Sequence, residues 1–155
     1  MELHEYEARI CVAGSRSFHD SLKFDVYLKN YVEWILKTGV KSIAFISGGA
    51  KRGPDALIIE WARKHDYECF VFEADWDKNG KRAGFIRNAQ MREQLTHLLA
   101  FWDGESKGTE EMAEATMDMK SAECSLIMVQ PDSGWKDYLK RIQERKKKGF
   151  KRGWK

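Results

Sequence analysis

Glycine- and serine-rich stretches recur in this sequence beside basic residues, and these residue types bind anions. Small side chains let a phosphate approach the backbone N–H groups, and a helix that begins there adds a partial positive charge. Two stretches of this kind consist of Ser47, Gly48, Gly49 and Ala50, and of Ser106, Lys107, Gly108 and Thr109. Neither is a dinucleotide fingerprint or a P-loop. They predict phosphate binding, with a tight turn and a plain helix N-cap as the alternatives.

Further polar and aromatic residues extend this candidate site. Gly14, Ser15 and Arg16 form a third stretch, and a guanidinium such as that of Arg16 pairs bidentately with a phosphate or bridges to a neighbouring acid. Trp76 lies in a polar segment, where it either stacks on a base or packs over a sheet edge. Arg87 and Asn88 lie about one helical turn from a glycine and face the same cleft or form ordinary surface contacts. The remaining candidates for ligand binding are Asp55 and Glu110.

No nucleophile, metal or cofactor motif accompanies these residues. The four histidines and three cysteines have no metal-ligand spacing, and no Gly-x-Ser-x-Gly elbow is present. We therefore expect no metal ion and no cofactor, and the sequence assigns no catalytic residue. An odd number of cysteines in a chain of 155 residues is typical of reduced thiols in a cytoplasmic protein.

Short apolar runs alternate with longer amphipathic segments, which predicts one Rossmann-like doubly wound α/β domain of about five mostly parallel strands with helices on both faces. The predicted strands are Arg9–Ala13, Ser42–Ile46, Glu68–Phe72, His97–Trp102 and Ser125–Val129. The predicted helices are Leu22–Lys37, Pro54–His65, about Ala83–Gln94, Thr109 to about Ser121, and about Trp135–Lys147.

Ligands of such sheets bind outside the carboxyl ends of the strands, and every candidate stretch follows a predicted strand or opens a predicted helix at that edge. We expect one phosphate to contact the backbone of four glycine-rich positions, because each pair opens a helix beside what we expect to be neighbouring strand ends. These positions are Gly48, Gly49, Gly108 and Thr109.

The charge of the chain is unevenly distributed, although its net value is only +3. Residues 136–155 contain ten lysines and arginines and two acidic residues, a net charge of +8, so that the other 135 residues carry −5. We therefore divide the chain into a domain at residues 1–134 and a basic C-terminal helix or tail at residues 135–155. Lys136–Lys155 either contacts nucleic acid or is a solvated charged segment. No apolar run approaches the roughly 18–20 residues that span a bilayer, so we expect no membrane contact.

Taken in order, the candidate stretches resemble the SLOG superfamily of Rossmann-like nucleotide-binding proteins. This superfamily groups the DNA-processing DprA/Smf proteins with the LOG-type cytokinin-activating phosphoribohydrolases, and the resemblance is closest to its YspA/YpsA-related branch. It spans about residues 9–130. The matching stretches are Gly14–Phe18, Ser47–Ala50 with Gly53 and Asp55, Ala74–Trp76, Ala83–Asn88 with Met91, and Ser106–Thr109.

The resemblance implies a nucleotide or nucleotide-derived ligand at the carboxyl edge of the sheet, in a homodimer or higher homo-oligomer. It implies a sensor or a sequestering protein. The LOG-type enzymes instead cleave the N-glycosidic bond of nucleoside monophosphates with the last residue of Pro-Gly-Gly-x-Gly-Thr-x-x-Glu, a position that is Met112 here. The alternatives are a phosphoribohydrolase or N-glycosidase using Glu110, Glu111 or Asp103, and a nucleic-acid-binding protein using the basic tail.

Overall fold

The computed structural model describes residues 1–129 with Lys140, Gln143 and Glu144, and residues 1–129 form five strands and five α-helices. The strands are β1 (Ala8–Gly14), β2 (Ile43–Ser47), β3 (Cys69–Val71), β4 (His97–Trp102) and β5 (Glu123–Met128). The helices are α1 (Ser21–Lys37), α2 (Pro54–Lys64), α3 (Trp76–Asn79), α4 (Ala83–Gln94) and α5 (Lys107–Met117). Short 3-10 turns form at Leu3–Glu5 and Gly80–Arg82.

All strand pairs are parallel, and the strand order is β3-β2-β1-β4-β5. In the central strand, Ile10 is opposite Phe45 of β2 on one side and His97 of β4 on the other. The chain therefore builds outward from β1 to β3 and then crosses back to β4, which creates a switch point between β1 and β4. The expectation that the loops after β2 and β4 follow neighbouring strands is wrong, because β1 lies between these two strands.

The helices cover the sheet on both faces, and the alternation of side chains along the strands fills two cores. Ile10 and Val12 pack with Phe24 of α1 and Ile58 of α2 on one face. On the other face Cys11 and Ala13 pack with side chains of α4 and α5, chiefly Met91, Met112 and Ala113. No helix among residues 1–129 is long and apolar enough to cross a membrane.

The predicted α/β fold is confirmed, and the boundaries of its strands and first four predicted helices differ by at most four residues, with β4 and α4 matching at both ends. The largest difference is at α5, which begins at Lys107 and ends at Met117. The structure adds α3, a single turn capped by the side chain of Asp75, which accepts a hydrogen bond from the N–H of Lys78. One turn is too short to show helical periodicity. The helix predicted at about Trp135–Lys147 and the basic tail lie outside the continuous described region.

Candidate functional site

A cavity of about 450 Å³ lies at the carboxyl edge of the sheet, where the loops after β1, β2 and β4 meet α4. Ten predicted ligand-binding residues line it: Gly14, Arg16, Ala50, Asp55, Trp76, Arg87, Asn88, Ser106, Gly108 and Thr109. Six others are not in the lining: Ser15, Ser47, Gly48, Gly49, Lys107 and Glu110. Eight lining residues were not among the predicted ligand-binding residues: Ala13, Ser17, Lys81, Gly84, Phe85, Met91, Asp103 and Met112.

The loop after β1 packs directly against its neighbours and positions Arg16. A Cβ atom on Gly14 would lie 2.5 Å from the carbonyl oxygen of Phe101 and 2.5 Å from Cγ of Pro54, so only glycine allows this close approach. The next residue, Ser15, is buried; its N–H donates to the carbonyl oxygen of Phe101 at 2.8 Å, and its Oγ accepts from the N–H of Asp103 at 3.0 Å. Ser15 therefore joins two loops.

The loop after β2 uses its polar groups internally. The hydroxyl of Ser47 donates to the carbonyl oxygen of Asp55 at 2.8 Å and accepts from the N–H of Gly49 at 3.1 Å. The N–H of Ala50 donates to Oδ2 of Asp55 at 3.1 Å. Two of the N–H groups that the sequence suggested for a phosphate are thus already hydrogen-bonded, and this loop presents a carboxylate to the cavity.

Asp55 is the buried carboxylate at this rim of the cavity, with 8% of its surface exposed. Burial raises its pKa above the ordinary value, and the N–H of Ala50 with the charges of Arg87 and Arg16 offsets part of this increase. Arg87 donates from Nη1 to the carbonyl oxygen of Gly48 at 2.7 Å. A Cβ atom on Gly48 would lie 2.8 Å from that Nη1 and 2.9 Å from Oδ2 of Asp55, so the glycine gives room for both side chains.

The loop after β4 is organised around a second carboxylate, that of Asp103. Its Oδ1 accepts the N–H groups of Glu105 and Ser106, each at 2.9 Å, and its Oδ2 accepts the hydroxyl of Ser17 at 3.0 Å. Partial burial raises the pKa of Asp103, but these hydrogen bonds outweigh burial and hold the pKa below its ordinary value. Asp103 therefore links the loops after β1 and β4.

The N-terminus of α5 opens onto the cavity without a side-chain cap. The N-cap residue Ser106 makes no capping hydrogen bond, and its Oγ is 3.1 Å from Oγ1 of Thr109 instead. A Cβ atom on Gly108 would meet nothing within 4 Å. Asn88 anchors this turn by donating from Nδ2 to the carbonyl oxygen of Gly108 at 3.4 Å. The first-turn N–H groups and the helix dipole are thus available to an anion.

Two cations and two aromatic side chains complete the lining. Arg16 and Lys81 make no hydrogen bond or salt bridge to the residues that the structure describes. Trp76 and Phe85 are 54% and 46% exposed. The indole of Trp76 lies beside α4, where a Cβ atom on Gly84 would be 3.7 Å from its Cη2. Exposed aromatic rings beside cations are suited to an anionic ligand with a flat ring.

The glutamates of α5 point away from the cavity, and Met112 takes the position facing it. Met112 is 1% exposed, and its Sδ accepts a hydrogen bond from Nη1 of Arg92 at 3.4 Å. Glu111 forms a salt bridge with the same Nη1 at 3.0 Å, while Glu110 lies 3.9 Å from Nζ of Lys107. The carboxylates in the cavity lining are instead those of Asp55 and Asp103.

A parallel α/β sheet with a ligand-sized cavity at its switch point defines a Rossmann-like α/β protein. Residues 8–79 match the model of the family described as YAcAr, the YspA, cpYpsA-related SLOG family. The chain is also 33% identical over 107 residues to the Gene 61 protein of Mycobacterium phage D29, an alignment that covers 65% of this chain and 82% of that protein. No solved structure matches the chain. The protein belongs to the YspA, cpYpsA-related SLOG family, and the resemblance identified from its sequence is confirmed.

Proposed function

We propose that this protein binds a nucleotide or nucleotide-derived small molecule in the cavity and acts as a sensor or a sequestering protein. The observation that carries the proposal is that Arg16, Lys81, Trp76 and Phe85 line one cavity of about 450 Å³ together with the open first turn of α5. Cations and helix N–H groups suit a phosphate, and the aromatic rings suit a base. Membership of the SLOG family supports a nucleotide-related ligand.

The phosphate belongs at the α5 side of the cavity. There the first-turn N–H groups of Gly108 and Thr109 have no side-chain cap, and Arg16, which lines the same cavity, makes no salt bridge to a described residue. The base belongs against Trp76, where stacking contributes about 1–3 kcal/mol per base in proteins that bind single strands. This arrangement replaces the phosphate site suggested at Gly48 and Gly49.

Binding without efficient hydrolysis is the form of the proposal that the cavity lining supports. A thioether such as that of Met112 neither transfers a proton nor stabilises an oxocarbenium-like centre. Asp103 already accepts three hydrogen bonds that hold the loops together. Loss of a general acid or base costs roughly 10²–10⁴-fold in rate. We expect base release from AMP and other nucleoside monophosphates to be slow or undetectable by chromatography, and multiple turnovers would contradict binding alone.

The binding experiment measures nucleotide affinity by calorimetry after native mass spectrometry of protein purified from cells. Arg16→Ala should weaken binding about 10- to 100-fold, because a charge-assisted contact to phosphate is lost. Lys51→Ala is the matched control, because Lys51 is exposed, follows the same sheet edge and lies outside the cavity lining. Equal affinities of the two variants would contradict this site, and no binding by any nucleotide would contradict the function.

A second variant tests the open turn of α5 by filling it. Gly108→Val places a branched side chain in space where a Cβ atom has no neighbour within 4 Å, so the fold should tolerate the substitution. The valine side chain should nevertheless prevent a phosphate from reaching the first-turn N–H groups. We expect affinity to fall at least about tenfold, the equivalent of one good hydrogen bond to a charged group. Ala115→Val, in the same helix but outside this cavity, is the control. Undiminished affinity of Gly108→Val would move the phosphate elsewhere.

A further inference from the structure

The two rims of the cavity have opposite hydrogen-bonding character. On the α5 side, uncapped N–H groups open onto the cavity. On the β2 side, the N–H groups of Gly49 and Ala50 are already donated, and the buried carboxylate of Asp55 lines the cavity beside the guanidinium of Arg87. Only one hydrogen bond from a described residue reaches that carboxylate, from Ala50 to Oδ2. The remaining lone pairs of this carboxylate accept a hydrogen-bond donor.

Close contacts establish an order of groups along the cavity. A Cβ atom on Gly84 would lie 3.7 Å from Trp76 and 4.0 Å from Nη2 of Arg87. Arg87 in turn meets Asp55 over Gly48, where a Cβ atom would lie within 2.9 Å of both side chains.

Asp55 is also close to the cation on its other side. Gly53 lies two residues before Asp55, and a Cβ atom there would be 2.9 Å from Cα of Arg16. Asp55 is thus close to Arg87, which neighbours Trp76, and to the loop that carries Arg16, whose charge lowers the pKa of Asp55. A nucleotide has the same order, with its ribose between the base and the phosphate.

We propose that Asp55 is a specificity-determining residue that accepts hydrogen bonds from the ribose hydroxyls of the ligand, so that the cavity selects ribonucleotides over deoxyribonucleotides. This assignment rests on the proposed function and identifies the substrate class of the same cavity. A carboxylate has about four lone-pair sites, and the N–H of Ala50 uses one of them. The others are sufficient for the two hydroxyls of a ribose, and bonds from hydroxyl to carboxylate are short and strong.

The experiment compares the mono- and diphosphates of the four common ribonucleosides with their 2′-deoxy counterparts by calorimetry. For each ribonucleotide that binds, the 2′-deoxy form should bind about tenfold or more weakly to the unmodified protein, because it lacks a charge-assisted hydrogen bond. This ratio needs no variant, so it remains informative if a substitution at Asp55 prevents folding. Asp55→Asn should bring the ratio close to one by weakening the ribonucleotides selectively.

Asp75→Asn is the matched control, because Asp75 is exposed, lies outside the cavity lining and caps only α3. It should keep the ratio of the unmodified protein. Equal binding of ribo and deoxy forms, or a preference that survives Asp55→Asn, overturns the assignment and leaves the proposed function standing. The assignment is also overturned if Asp55→Asn weakens only nucleotides whose bases carry an amino group, in both sugar forms. If no nucleotide in the panel binds, the proposed function itself fails.

Discussion

Asp55, in the first turn of α2, and Asp103, directly after β4, line the same cavity, yet their surroundings shift their pKa values in opposite directions. Burial dominates at Asp55, which receives one N–H. Asp103 is less buried and receives two N–H groups and a serine hydroxyl. The comparison teaches that the number of donors around a carboxylate separates one that holds loops together from one that keeps free acceptor sites toward the cavity.

The loops that carry these residues are also stabilised differently. Around Asp55 the hydrogen bonds are local, such as those that join Ser47 to Gly49 and Ala50 to Asp55. Around Asp103 they join distant parts of the chain, through the pairs with Ser15 and Ser17. We therefore expect substitutions on the β1–β4 side of the cavity to reduce stability and substitutions on the β2 side to alter recognition.

The largest effect on stability is expected at Gly14, which lies between Phe101 of β4 and Pro54 of α2. Gly14→Ala places a methyl group 2.5 Å from a backbone oxygen of β4 and from Pro54, so the strand or helix must shift. Overpacking of this kind costs about 3 kcal/mol of unfolding free energy. Urea denaturation measures the cost, and Gly108→Ala is the control, because its Cβ atom has no neighbour within 4 Å. Equal stability of the two variants would contradict the close packing at Gly14.

The next-largest effect on the unfolding free energy is expected to differ between Asp103 and Asp55. Asp103→Ala removes the acceptor of three hydrogen bonds and should lower the unfolding free energy by about 2 kcal/mol. Asp55→Asn should leave the unfolding free energy unchanged or raise it at pH 7, because it removes a charge whose burial is unfavourable. Thermal unfolding of both variants checks the difference in sign. A larger loss of unfolding free energy in Asp55→Asn than in Asp103→Ala would contradict the assignment of Asp103 as the carboxylate that stabilises the fold.

A smaller effect is expected in the pH dependence of stability. The folded-state pKa of Asp103 is below its ordinary 3.8, so its contribution is present above that pH and is lost as the pH falls through the folded-state pKa. The folded-state pKa of Asp55 is above 3.8, so stability falls as the pH rises from 3.8 through that pKa.

Urea unfolding between about pH 3 and pH 7 should therefore show two changes relative to the unmodified protein. Asp103→Ala should lose less stability on acidification, and Asp55→Asn should lose less on the rise toward neutral pH. If both variants keep the pH dependence of unfolding free energy of the unmodified protein, neither carboxylate contributes to stability in the direction that its pKa shift indicates.

The smallest effect on nucleotide affinity is expected from removal of the basic tail. Truncation after Ser133 should leave nucleotide affinity within about twofold, because the ligand contacts that we propose lie in residues 14–112. If residues 136–155 bind nucleic acid, the same truncation removes binding to a random duplex at low salt, since ten basic residues are lost. Duplex affinity that is equal with and without the tail would end the nucleic-acid hypothesis.

Local sequence pattern was sufficient to predict the five strands, four helices and the edge at which the cavity lies. Short apolar runs and amphipathic segments are properties of neighbouring residues, and parallel strands bring their carboxyl ends to one edge. Arg16, Gly108 and Thr109 lie in the cavity lining because Arg16 follows a strand and the other two open a helix there, and Arg87 lies there about one helical turn after Gly84. What they bind stays a prediction.

Only the tertiary structure decided which groups face the cavity. The strand order depends on pairing between distant segments, so the place of β1 between β2 and β4 was not readable locally. The internal use of the N–H groups of Gly49 and Ala50 depends on where Ser47 and Asp55 point. Lys81, in the 3-10 turn before α4, and Phe85 of α4 line the cavity because of how this segment packs. The orientation of α5 places Met112 in the lining, whereas the glutamates of that helix are not in it. Such orientations follow from side-chain packing, which residue spacing alone does not specify.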